Sequence, residues 1–445
     1  GKCMKILSYC YLYIRKGCTT NLPFYRLIPA FSKREGVLGV KFVVHPFANA
    51  QHSMKLSDRI NNITEPQTIG MARKARELKA KGVDVISLSL GEPDFFTPDV
   101  VKMAAKNAID NNFSFYTHVS GYLELRQAIA KKFKRDNNLD FTAEQIVVST
   151  GAKQSIANVL LCIVNPGDEV LVPAPYWVTY LEQIKLAGGK PVVIQATVEN
   201  NFKVTAEQIK KAITPKTKAI LFSSPCNPTG SVYTKEELKA IADVIVPNPD
   251  MYVISDEIYE HINFLGKHES IAQFPEIKER TVVVNGASKA FAMTGWRVGY
   301  IGAPKELAIA CDKLQGQFTS ATCGIGQKAM HAAAEMEPAT IHPMRDAFKK
   351  RRDIVYKLLK EIPDIKTNYP DGAFYFFPEI SAYFGKGSVK NSTDLCMYLL
   401  DKAHVALVPG DAFGNDNHIR ISYAAAEDKL IEAMKRIKNA LAELK

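Results

Sequence analysis

Short runs of apolar, often β-branched residues alternate along most of the chain with longer segments in which apolar residues recur every three or four positions. The first pattern is typical of buried parallel strands, and the second of amphipathic helices that cover a sheet. Strands are predicted at residues 146–149, 169–172, 191–195, 219–223, 251–255, 281–285 and 299–301. Helices are predicted between them, for example at 98–111, 123–137, 152–164 and 235–244. This alternation predicts an α/β domain with a mostly parallel seven-stranded sheet.

The pattern changes after about residue 338. The elements predicted there are a long amphipathic helix, two short strands and a terminal helix, at 345–359, 373–377, 418–422 and 428–444. Such a mixture indicates a smaller α+β domain. The expected organisation is an N-terminal extension, an arm that includes part of the small domain, a large domain and a small C-terminal domain, at 1–53, 54–99, 100–337 and 338–445.

The composition is that of an ordinary globular protein, with 47% hydrophobic and 23% charged residues. It excludes collagen-like, disulfide-scaffold and wholly disordered proteins. No apolar run approaches the roughly 20 residues that span a bilayer, so no membrane partner is expected. The eight cysteines contain no CxxC pair, which indicates free thiols in a reducing compartment and favours a cytoplasmic location.

The formal net charge of +11 is unusual, but it is unevenly distributed. Residues 1–53 hold eight Lys or Arg and one acidic residue, so +7 of the +11 lies there and the rest of the chain carries +4. Met54-Lys-Leu-Ser resembles a natural start, so we expect the preceding segment to be disordered or a start-site artefact. An organellar targeting segment and a membrane- or partner-binding arm are the alternatives. The segment is too short and unpatterned for a helix-turn-helix, and no nucleic-acid partner is expected.

Several familiar catalytic motifs are absent from the sequence. There is no GxGxxG after a strand, no GxxxxGK[ST], no HExxH and no GxSxG, and the nine histidines do not cluster. Dinucleotide, P-loop, metalloprotease and serine-hydrolase sites are therefore not expected. No metal site is expected either.

One lysine lies in a setting that favours chemistry. Lys289 follows the predicted strand at 281–285, which places it at the carboxyl edge of a parallel sheet, where open α/β sheets bind ligands. A lysine in partly apolar surroundings is driven towards its neutral amine, the form that condenses with an aldehyde. A lysine after a strand is otherwise most often a surface residue. The neighbouring sequence decides between these two interpretations.

The residues around Lys289 read SKAFAMTGWRVG. Eight further motifs accompany them along the chain: LGEPDF, YTHVSGYLELR, STGAKQ, APYWVTY, SPCNPTGSVY, SDEIYEHI, VPGDAFG and HIRISYA. Together they resemble the class I, fold-type I aminotransferases that depend on pyridoxal phosphate. Within these, the chain is most similar to the aspartate aminotransferase subgroup of bacteria and plastids that is related to prephenate aminotransferases. The resemblance covers 54–445 and does not extend to 1–53.

The resemblance implies pyridoxal 5'-phosphate as cofactor and assigns residues to its ring. Lys289 would hold the cofactor covalently, and Asp256 would keep the pyridine nitrogen protonated so that the ring accepts electrons. Tyr259 and Asn227 would hydrogen-bond the phenolic oxygen, and Trp177 would stack on the ring face. Lys289, Asp256 and Tyr259 are the expected catalytic residues. Outside the family context, Asp256 could instead cap a turn and Trp177 could belong to the core.

The phosphate group is expected at the start of the helix that follows the strand at 146–149, because helix N-termini bind anions. The resemblance implies contacts from Gly151 and Ala152, completed by Ser288 and Arg297. An arginine suits this task because its planar group donates two parallel hydrogen bonds. Tyr116 matches a tyrosine that resembling enzymes extend across a dimer interface to the same phosphate, which makes a homodimer with shared sites part of the prediction.

The resemblance also implies where an amino-acid or 2-oxo-acid substrate binds. Arg420 would bind the α-carboxylate, with the backbone of Gly91 beside it, and Lys153 would bind the distal carboxylate of aspartate or glutamate. Thr68 together with Lys153 matches a pattern seen in relatives that accept prephenate. Two residues of the cofactor site would also border the substrate, namely Trp177 and Asn227.

The function implied is reversible amino transfer from L-aspartate to 2-oxoglutarate, giving oxaloacetate and L-glutamate. A bifunctional aspartate/prephenate aminotransferase and an aromatic-preferring aminotransferase are the alternatives within the same fold. Another chemistry on the same cofactor, such as β-elimination or decarboxylation, is disfavoured by Lys153. A regulatory protein that has lost its chemistry is disfavoured because Lys289, Asp256 and Arg420 are all present.

Overall fold

The computed structural model describes residues 25–34, 37–46, 55–65 and 67–444, with the backbone alone at 25–34, 37–46 and 68–69. The chain divides into two units, Gly1–Asp58 and Arg59–Lys445. In the first unit, two antiparallel strands pair from Tyr25 opposite Pro46 to Arg34 opposite Val37, a hairpin that the sequence pattern did not predict. The rest of residues 1–53, together with Met54, lies outside the described residues, so the expectations for this segment stay predictions.

The helices and strands are numbered in chain order. The strands are β1 (Tyr25–Arg34), β2 (Val37–Pro46), β3 (Ile86–Ser87), β4 (Ile146–Ser149), β5 (Glu169–Ala174), β6 (Lys190–Gln195), β7 (Thr217–Ser223), β8 (Tyr252–Asp256), β9 (Thr281–Gly286), β10 (Gly299–Gly302), β11 (Tyr375–Phe376), β12 (Val405–Ala406), β13 (Val408–Pro409) and β14 (Ile419–Ser422). The helices are α1 (Asp58–Asn61), α2 (Gln67–Ala80), α3 (Asp99–Asp110), α4 (Leu123–Asn137), α5 (Ala152–Ile163), α6 (Thr179–Leu186), α7 (Ala206–Ala212), α8 (Lys235–Ile245), α9 (Pro275–Lys278), α10 (Lys305–Phe318), α11 (Gly324–Glu335), α12 (His342–Lys360), α13 (Ser392–Ala403) and α14 (Glu427–Glu443).

All seven strands predicted for the large sheet form one sheet, in the order β4-β10-β9-β8-β7-β5-β6. The pairs of β5 with β6 and β7, of β7 with β8 and of β8 with β9 are parallel. Only β10 runs against its two neighbours. The prediction of an α/β fold with a mostly parallel seven-stranded sheet is confirmed.

Both faces of this sheet are covered, which explains the continuous apolar runs in its strands. In β9, Val282 and Val284 pack with α5 and α10 on one face, while Val283 packs on the other face in the core that includes α4 and α11. All three valines are fully buried. A strand with one face open to solvent would alternate apolar and polar residues, whereas no polar residue interrupts the run at 282–284.

A second sheet has three antiparallel strands in the order β11-β14-β13. Two of them lie within the strands predicted at 373–377 and 418–422. A third sheet, in which β12 pairs with β3, has only two residues in each strand. Strands this short carry no periodic signal, and the sequence pattern did not predict them. The proposed division of 54–445 into an arm, a large and a small domain stays a prediction.

Strand direction decides where a ligand can bind. Strands β4, β5, β7, β8 and β9 point the same way, so their carboxyl ends lie at one edge of the sheet, and β10 begins at that edge. The loops after parallel strands therefore converge there. No helix in the described part of the chain is both long and apolar enough to cross a membrane.

A buried ion pair supports the loop after β8. The Lys132 ammonium contacts the Glu260 carboxylate, which also accepts a hydrogen bond from Asn137 Nδ2 at 2.8 Å, and Asp136 lies 3.5 Å from Lys132 Nζ. Both charged side chains of the pair are almost fully excluded from solvent. Burial opposes the charged form of Glu260, yet the Lys132 ammonium holds the pKa of that carboxyl well below its ordinary value. Removing one partner would leave an uncompensated buried charge.

We therefore expect Lys132→Met to lower the free energy of unfolding by about 3–5 kcal/mol, measured by urea denaturation followed by circular dichroism. The double variant K132M/E260L should recover most of the loss, because neither charge then remains unpaired. Lys239→Met is the control, since its ion pair with Asp243 is solvent-exposed and should be worth less than about 1 kcal/mol. Equal losses in K132M and K239M would contradict the assigned role of the buried pair.

Candidate active site

A cavity of about 320 Å³ lies at the carboxyl edge of the seven-stranded sheet. Its size is that of a pocket for a small cofactor and its substrate. The predicted site residues that line it are Gly91, Ala152, Lys153, Trp177, Asn227, Asp256, Tyr259, Ser288, Lys289, Arg297 and Arg420. Most of these residues meet because strands of the large sheet end, or in the case of β10 begin, at this edge, while Gly91 and Arg420 come from outside that sheet.

Lys289 lies three residues beyond the end of β9. Its amine donates to the backbone carbonyl of Gly91 and lies 5.8 Å from the centre of the Tyr259 ring. Burial lowers the pKa of Lys289 to about 8, and the nearby Arg420 guanidinium contributes to that shift. A substantial fraction of this amine is therefore neutral near pH 8, and a neutral amine is a nucleophile.

Asp256 ends β8, and both of its carboxyl oxygens have partners. Tyr180 donates its hydroxyl proton to Oδ2 at 2.7 Å, and the backbone N–H of Ile258 donates to Oδ1 at 3.3 Å. Burial raises the pKa of Asp256 to about 6, although the Tyr180 hydrogen bond opposes that rise. A cationic partner in the cavity would favour the carboxylate form. The next side chain, Glu257, points away and bonds Ser255 Oγ and His268 Nε2.

An anion-binding corner forms where α5 begins. Gly151 has a φ of +83°, and a Cβ at this position would collide with the Arg297 guanidinium. Arg297 also adopts a left-handed φ, of +57°, and donates to the Thr294 carbonyl at 2.8 Å. Ala152 and Ser288 line the cavity beside it. The free N–H groups of the helix terminus and a guanidinium thus face one small volume, which suits a phosphate.

The opposite end of the cavity holds Arg420, from β14 of the three-stranded sheet. It is nearly fully buried, and burial lowers the pKa of its guanidinium. One nitrogen donates to Asn227 Oδ1 at 3.0 Å and another to the Ser89 carbonyl at 2.6 Å. Among the described atoms, Arg420 Nε finds no partner. A buried guanidinium with unused donors suits a carboxylate ligand.

Lys153 lies between the cavity and a second one of about 430 Å³, and it lines both. Its ammonium is 5.0 Å from the centre of the Trp177 ring. Burial lowers the pKa of Lys153, and Arg297 lowers it further. A cation at this position favours a negatively charged ligand group.

Two described residues of the prediction, Gly151 and Tyr116, are not among those that line the cavity. Gly151 directly precedes Ala152, which does line it. Tyr116 is 97% exposed in the single chain, so its predicted role depends on a second copy. The side chain of Thr68 lies outside the described residues, and its role stays a prediction.

Seven further residues line the cavity without having been predicted from the sequence: Ser89, Leu90, Tyr180, Ser223, Ile258, Thr294 and Tyr375. Tyr180 belongs to the motif APYWVTY, but an aromatic residue at a helix start is equally typical of a core position. Tyr375 lies in the apolar run Ala373-Phe-Tyr-Phe-Phe, where the same reasoning favours the core. Neither residue could have been assigned to the site from its local pattern.

Residues 83–437 match the family of aminotransferases of class I and II. The chain belongs to that family. The resemblance found in the motifs is thereby confirmed, and the chain is an aminotransferase. Fold type I is confirmed as well, because solved structures of this family superimpose on the chain over nearly its whole length.

Two solved structures illustrate the similarity. The aspartate aminotransferase from Rhizobium meliloti has a TM-score of 0.85 at 40% identity, over 88% of this chain and 100% of that one. The aspartate aminotransferase from Thermus thermophilus with maleate has a TM-score of 0.83 at 40% identity, over 87% of this chain and 99% of the other.

Curated relatives are also similar to this chain over most of their own length. A bifunctional aspartate aminotransferase and glutamate/aspartate-prephenate aminotransferase from Petunia hybrida is 45% identical over 93% of this chain and 88% of its own length. The aspartate aminotransferase of Bacillus subtilis is 44% identical over 86% of this chain and 98% of its own length. The Petunia match covers more residues than 54–445 contains, so it extends into the N-terminal segment, where no similarity was expected.

The lowered pKa of Lys289 predicts a pH-dependent cost to stability in the ligand-free aminotransferase. The folded chain, with a pKa of about 8, binds this proton less readily than the unfolded chain, with 10.5. The cost is therefore complete below pH 8, shrinks as the pH rises to 10.5 and is absent above it. Lys289→Met removes this cost, but it also removes the hydrogen bond to the Gly91 carbonyl, which stabilises the fold. The net effect we expect is a rise of about 2 kcal/mol in the free energy of unfolding at pH 7.

Urea denaturation of ligand-free protein at pH 7 and pH 10 would measure this gain, which should shrink markedly at the higher pH. Lys357→Met is the matched control, because this helical lysine is exposed and its loss should change stability little at either pH. A Lys289→Met variant less stable than the unmodified protein at pH 7 would contradict the assigned pKa.

Proposed function

We propose that the protein is a pyridoxal-phosphate-dependent aspartate aminotransferase, which transfers the amino group of L-aspartate to 2-oxoglutarate and yields oxaloacetate and L-glutamate. The observation that carries this proposal is the meeting of four cationic side chains with a single carboxylate in one cavity: Lys153, Lys289, Arg297, Arg420 and Asp256. Each cation in this set has a partner group in the cofactor or in a dicarboxylic amino acid.

The residues of the cavity fit the cofactor. Arg297, Ser288 and the start of α5 would hold the phosphate, and the φ of +83° at Gly151 is a backbone conformation that a side chain would strain. Asp256, fixed by Tyr180, would pair with the pyridine nitrogen. When bound, pyridoxal phosphate supplies an aldehyde that reacts with amines and a protonated ring that accepts the electron pair of a broken Cα–H bond.

Tyr259, Asn227 and Trp177 would complete the contacts with the cofactor ring. Tyr259 is the proposed donor to the phenolic oxygen, because it lines the cavity and its ring centre lies 5.8 Å from Lys289 Nζ. Asn227 uses its amide oxygen for Arg420, which leaves its NH₂ group available as a second donor. Trp177 borders the same cavity and would cover the ring face.

Lys289 performs the proton transfer in this proposal. Its Nζ has a pKa of about 8 in the ligand-free protein. Once Lys289 is released from the cofactor, this amine accepts the Cα proton of the amino acid. A base whose pKa lies close to the working pH is efficient in both directions of a proton transfer. Reversible amino transfer needs this property, because in each half-reaction the amine must both take up a proton and give one up.

Arg420 and Lys153 would bind the two carboxylates of the substrate. Arg420 has an unused donor and is buried, so it would bind the α-carboxylate that every amino acid carries. The backbone of Gly91 would lie beside that carboxylate. Lys153 would bind the distal carboxylate, which only aspartate and glutamate provide. This division disfavours an aromatic-preferring enzyme.

A second substrate class has specific support. The cavity of about 430 Å³ that Lys153 shares with the site would give space to a dicarboxylate with a ring. The Petunia relative and a Rhizobium leguminosarum relative are named for prephenate as well as aspartate. We propose prephenate as an additional amino acceptor, with Thr68 and Lys153 as its specificity residues.

We also propose that the enzyme is a cytoplasmic homodimer with shared active sites. Large apolar side chains are exposed on the single chain, including Phe96 at 93%, Phe115 at 83% and Tyr116 at 97%. Exposure of this kind marks interaction surfaces. Tyr116 would reach the phosphate of the partner's site from this surface.

Substrate profiling would test the proposed activity. Lys153→Gln should lower kcat/KM for aspartate about 10- to 100-fold, the value of a lost charge-assisted hydrogen bond, while activity with phenylalanine changes little. Arg420→Lys should lower kcat/KM for both donors, because the α-carboxylate is common to them. No aspartate-dependent formation of glutamate from 2-oxoglutarate in the wild type would end the proposal, and equal losses for both donors in K153Q would end the specificity assignment.

The dimer would be tested by light scattering. The wild type should have twice the 49.4 kDa mass of one chain, and Phe115→Asp should shift the mass towards one chain and weaken cofactor retention. Val246→Asp is the control, because Val246 is also exposed but precedes β8 at the opposite edge of the sheet. A monomeric wild type with full activity would exclude shared sites.

A further inference from the structure

Tyr375 lines the cavity and contacts both Tyr259, assigned to the cofactor, and Arg420, assigned to the substrate. It comes from β11, which pairs with β14 so that Tyr375 is opposite Ser422 and Phe376 is opposite Ile421. Arg420 is two residues before Ser422 on the same strand. The tyrosine is fully buried among protein atoms and yet lines the cavity.

The hydroxyl of Tyr375 has one close partner among the described groups, the hydroxyl of Tyr259 at 2.7 Å. Each hydroxyl has a single proton. If Tyr259 donates its proton to the phenolic oxygen of the cofactor, the hydrogen bond between the two tyrosines must use the proton of Tyr375. The order of donation is then fixed, from Tyr375 to Tyr259 to the cofactor.

Donation in this order strengthens the second hydrogen bond. A hydroxyl that accepts a hydrogen bond becomes a better donor, and the effect is larger in a buried site than in water. Tyr375 would therefore act on the cofactor through Tyr259, without touching the phenolic oxygen itself.

The ring of Tyr375 has a separate contact. The Arg420 guanidinium carbon lies 4.7 Å from the ring centre, within the distance of a cation–π interaction. Two nitrogens of the same guanidinium donate to Asn227 Oδ1 and to the Ser89 carbonyl. The Tyr375 ring thus packs against one face of the guanidinium, and the two hydrogen bonds fix its orientation in the plane.

The backbone at Gly91 fits closely against the same tyrosine. A Cβ at Gly91 would collide with the Tyr375 hydroxyl, and the Gly91 carbonyl accepts a hydrogen bond from Lys289. A side chain at position 91 would therefore displace the Tyr375 hydroxyl.

We propose that Tyr375 is a positioning residue for both ends of the site, with its hydroxyl directing the proton of Tyr259 to the cofactor and its ring orienting Arg420 towards the substrate α-carboxylate. This inference rests on the proposed function. Its two parts predict different consequences for two substitutions, because Tyr375→Phe removes the hydroxyl alone and Tyr375→Leu removes the ring as well.

The hydroxyl is tested by spectrophotometric pH titration of the holoenzyme without substrate. Weaker donation by Tyr259 leaves more electron density on the phenolic oxygen, so the nitrogen that links Lys289 to the cofactor keeps its proton to higher pH. Tyr375→Phe should therefore raise the midpoint of the absorption change by about 0.5 to 1 pH unit. Its KM for aspartate should stay near the wild-type value, because the ring still contacts Arg420.

The ring is tested by titrating the holoenzyme with maleate, a dicarboxylate that does not react. Tyr375→Leu should raise the maleate dissociation constant about 10-fold, whereas Tyr375→Phe should leave it near the wild-type value. Tyr423→Phe is the matched control for both measurements. It also loses a buried hydroxyl, one that donates to the Ala373 carbonyl at 3.2 Å, but Tyr423 does not line the cavity.

An unchanged absorption midpoint in Tyr375→Phe, or an equal shift in Tyr423→Phe, would overturn the role of the hydroxyl. Wild-type affinity for maleate in Tyr375→Leu would overturn the role of the ring. A wild-type protein that shows no pH-dependent absorption band with pyridoxal phosphate would instead refute the proposed function. The two failures are thus distinguishable in one set of spectra.

Discussion

The constraint on which the site depends is an excess of positive charge around one cavity. Four cations line the cavity with Asp256 as the only carboxylate among its described lining residues. Burial and the nearby arginine side chains lower the pKa of Lys289 and of Lys153. These shifts reflect the free energy needed to hold the cations close together. Such a cavity is complete only with anions in it. In the proposed function a phosphate would pair with Arg297 and two carboxylates with Arg420 and Lys153, which leaves Lys289 as the amine that reacts.

Holding like charges together requires rigid support, and the loop after β8 shows how it is provided. On the cavity side Asp256 is fixed by Tyr180. On the far side Glu257 accepts hydrogen bonds from Ser255 Oγ at 2.9 Å, Ser270 Oγ at 2.6 Å and His268 Nε2 at 2.9 Å. Successive side chains of an extended segment point in opposite directions, so one short turn is anchored in both layers. The carboxylate facing the cavity is consequently pre-oriented, and little reorganisation is needed when a ligand binds.

The sequence predicted the parts of this arrangement that leave a local signal. All strands of the large sheet were predicted because burial on both faces produces unbroken apolar runs, and Lys289 and Asp256 were identified by motifs at strand ends. The two-residue strands β3, β12 and β13 leave no such signal. Tyr375 was missed for another reason: its partner Tyr259 is 116 residues away along the chain. A tyrosine in an apolar run has the same pattern whether its hydroxyl enters a core or a site, and only the pairing of β11 with β14 distinguishes the two.

The arrangement also separates the chemistry from the choice of substrate. Lys153 is the second residue of α5, so its backbone belongs to the helix terminus beside Arg297, while its side chain extends past Trp177 to the junction of the two cavities. A substitution at this position changes the side chain and leaves the helix terminus in place. Arg420 has no such freedom, because its donors are shared with Asn227 and Ser89 and its face with Tyr375. Arg420 is also among the charges that lower the pKa of Lys289, whereas Lys153 contacts the site through Trp177 and Arg297. In the proposed function, a change of substrate range at Lys153 would therefore affect the proton transfer at Lys289 less than a change at Arg420.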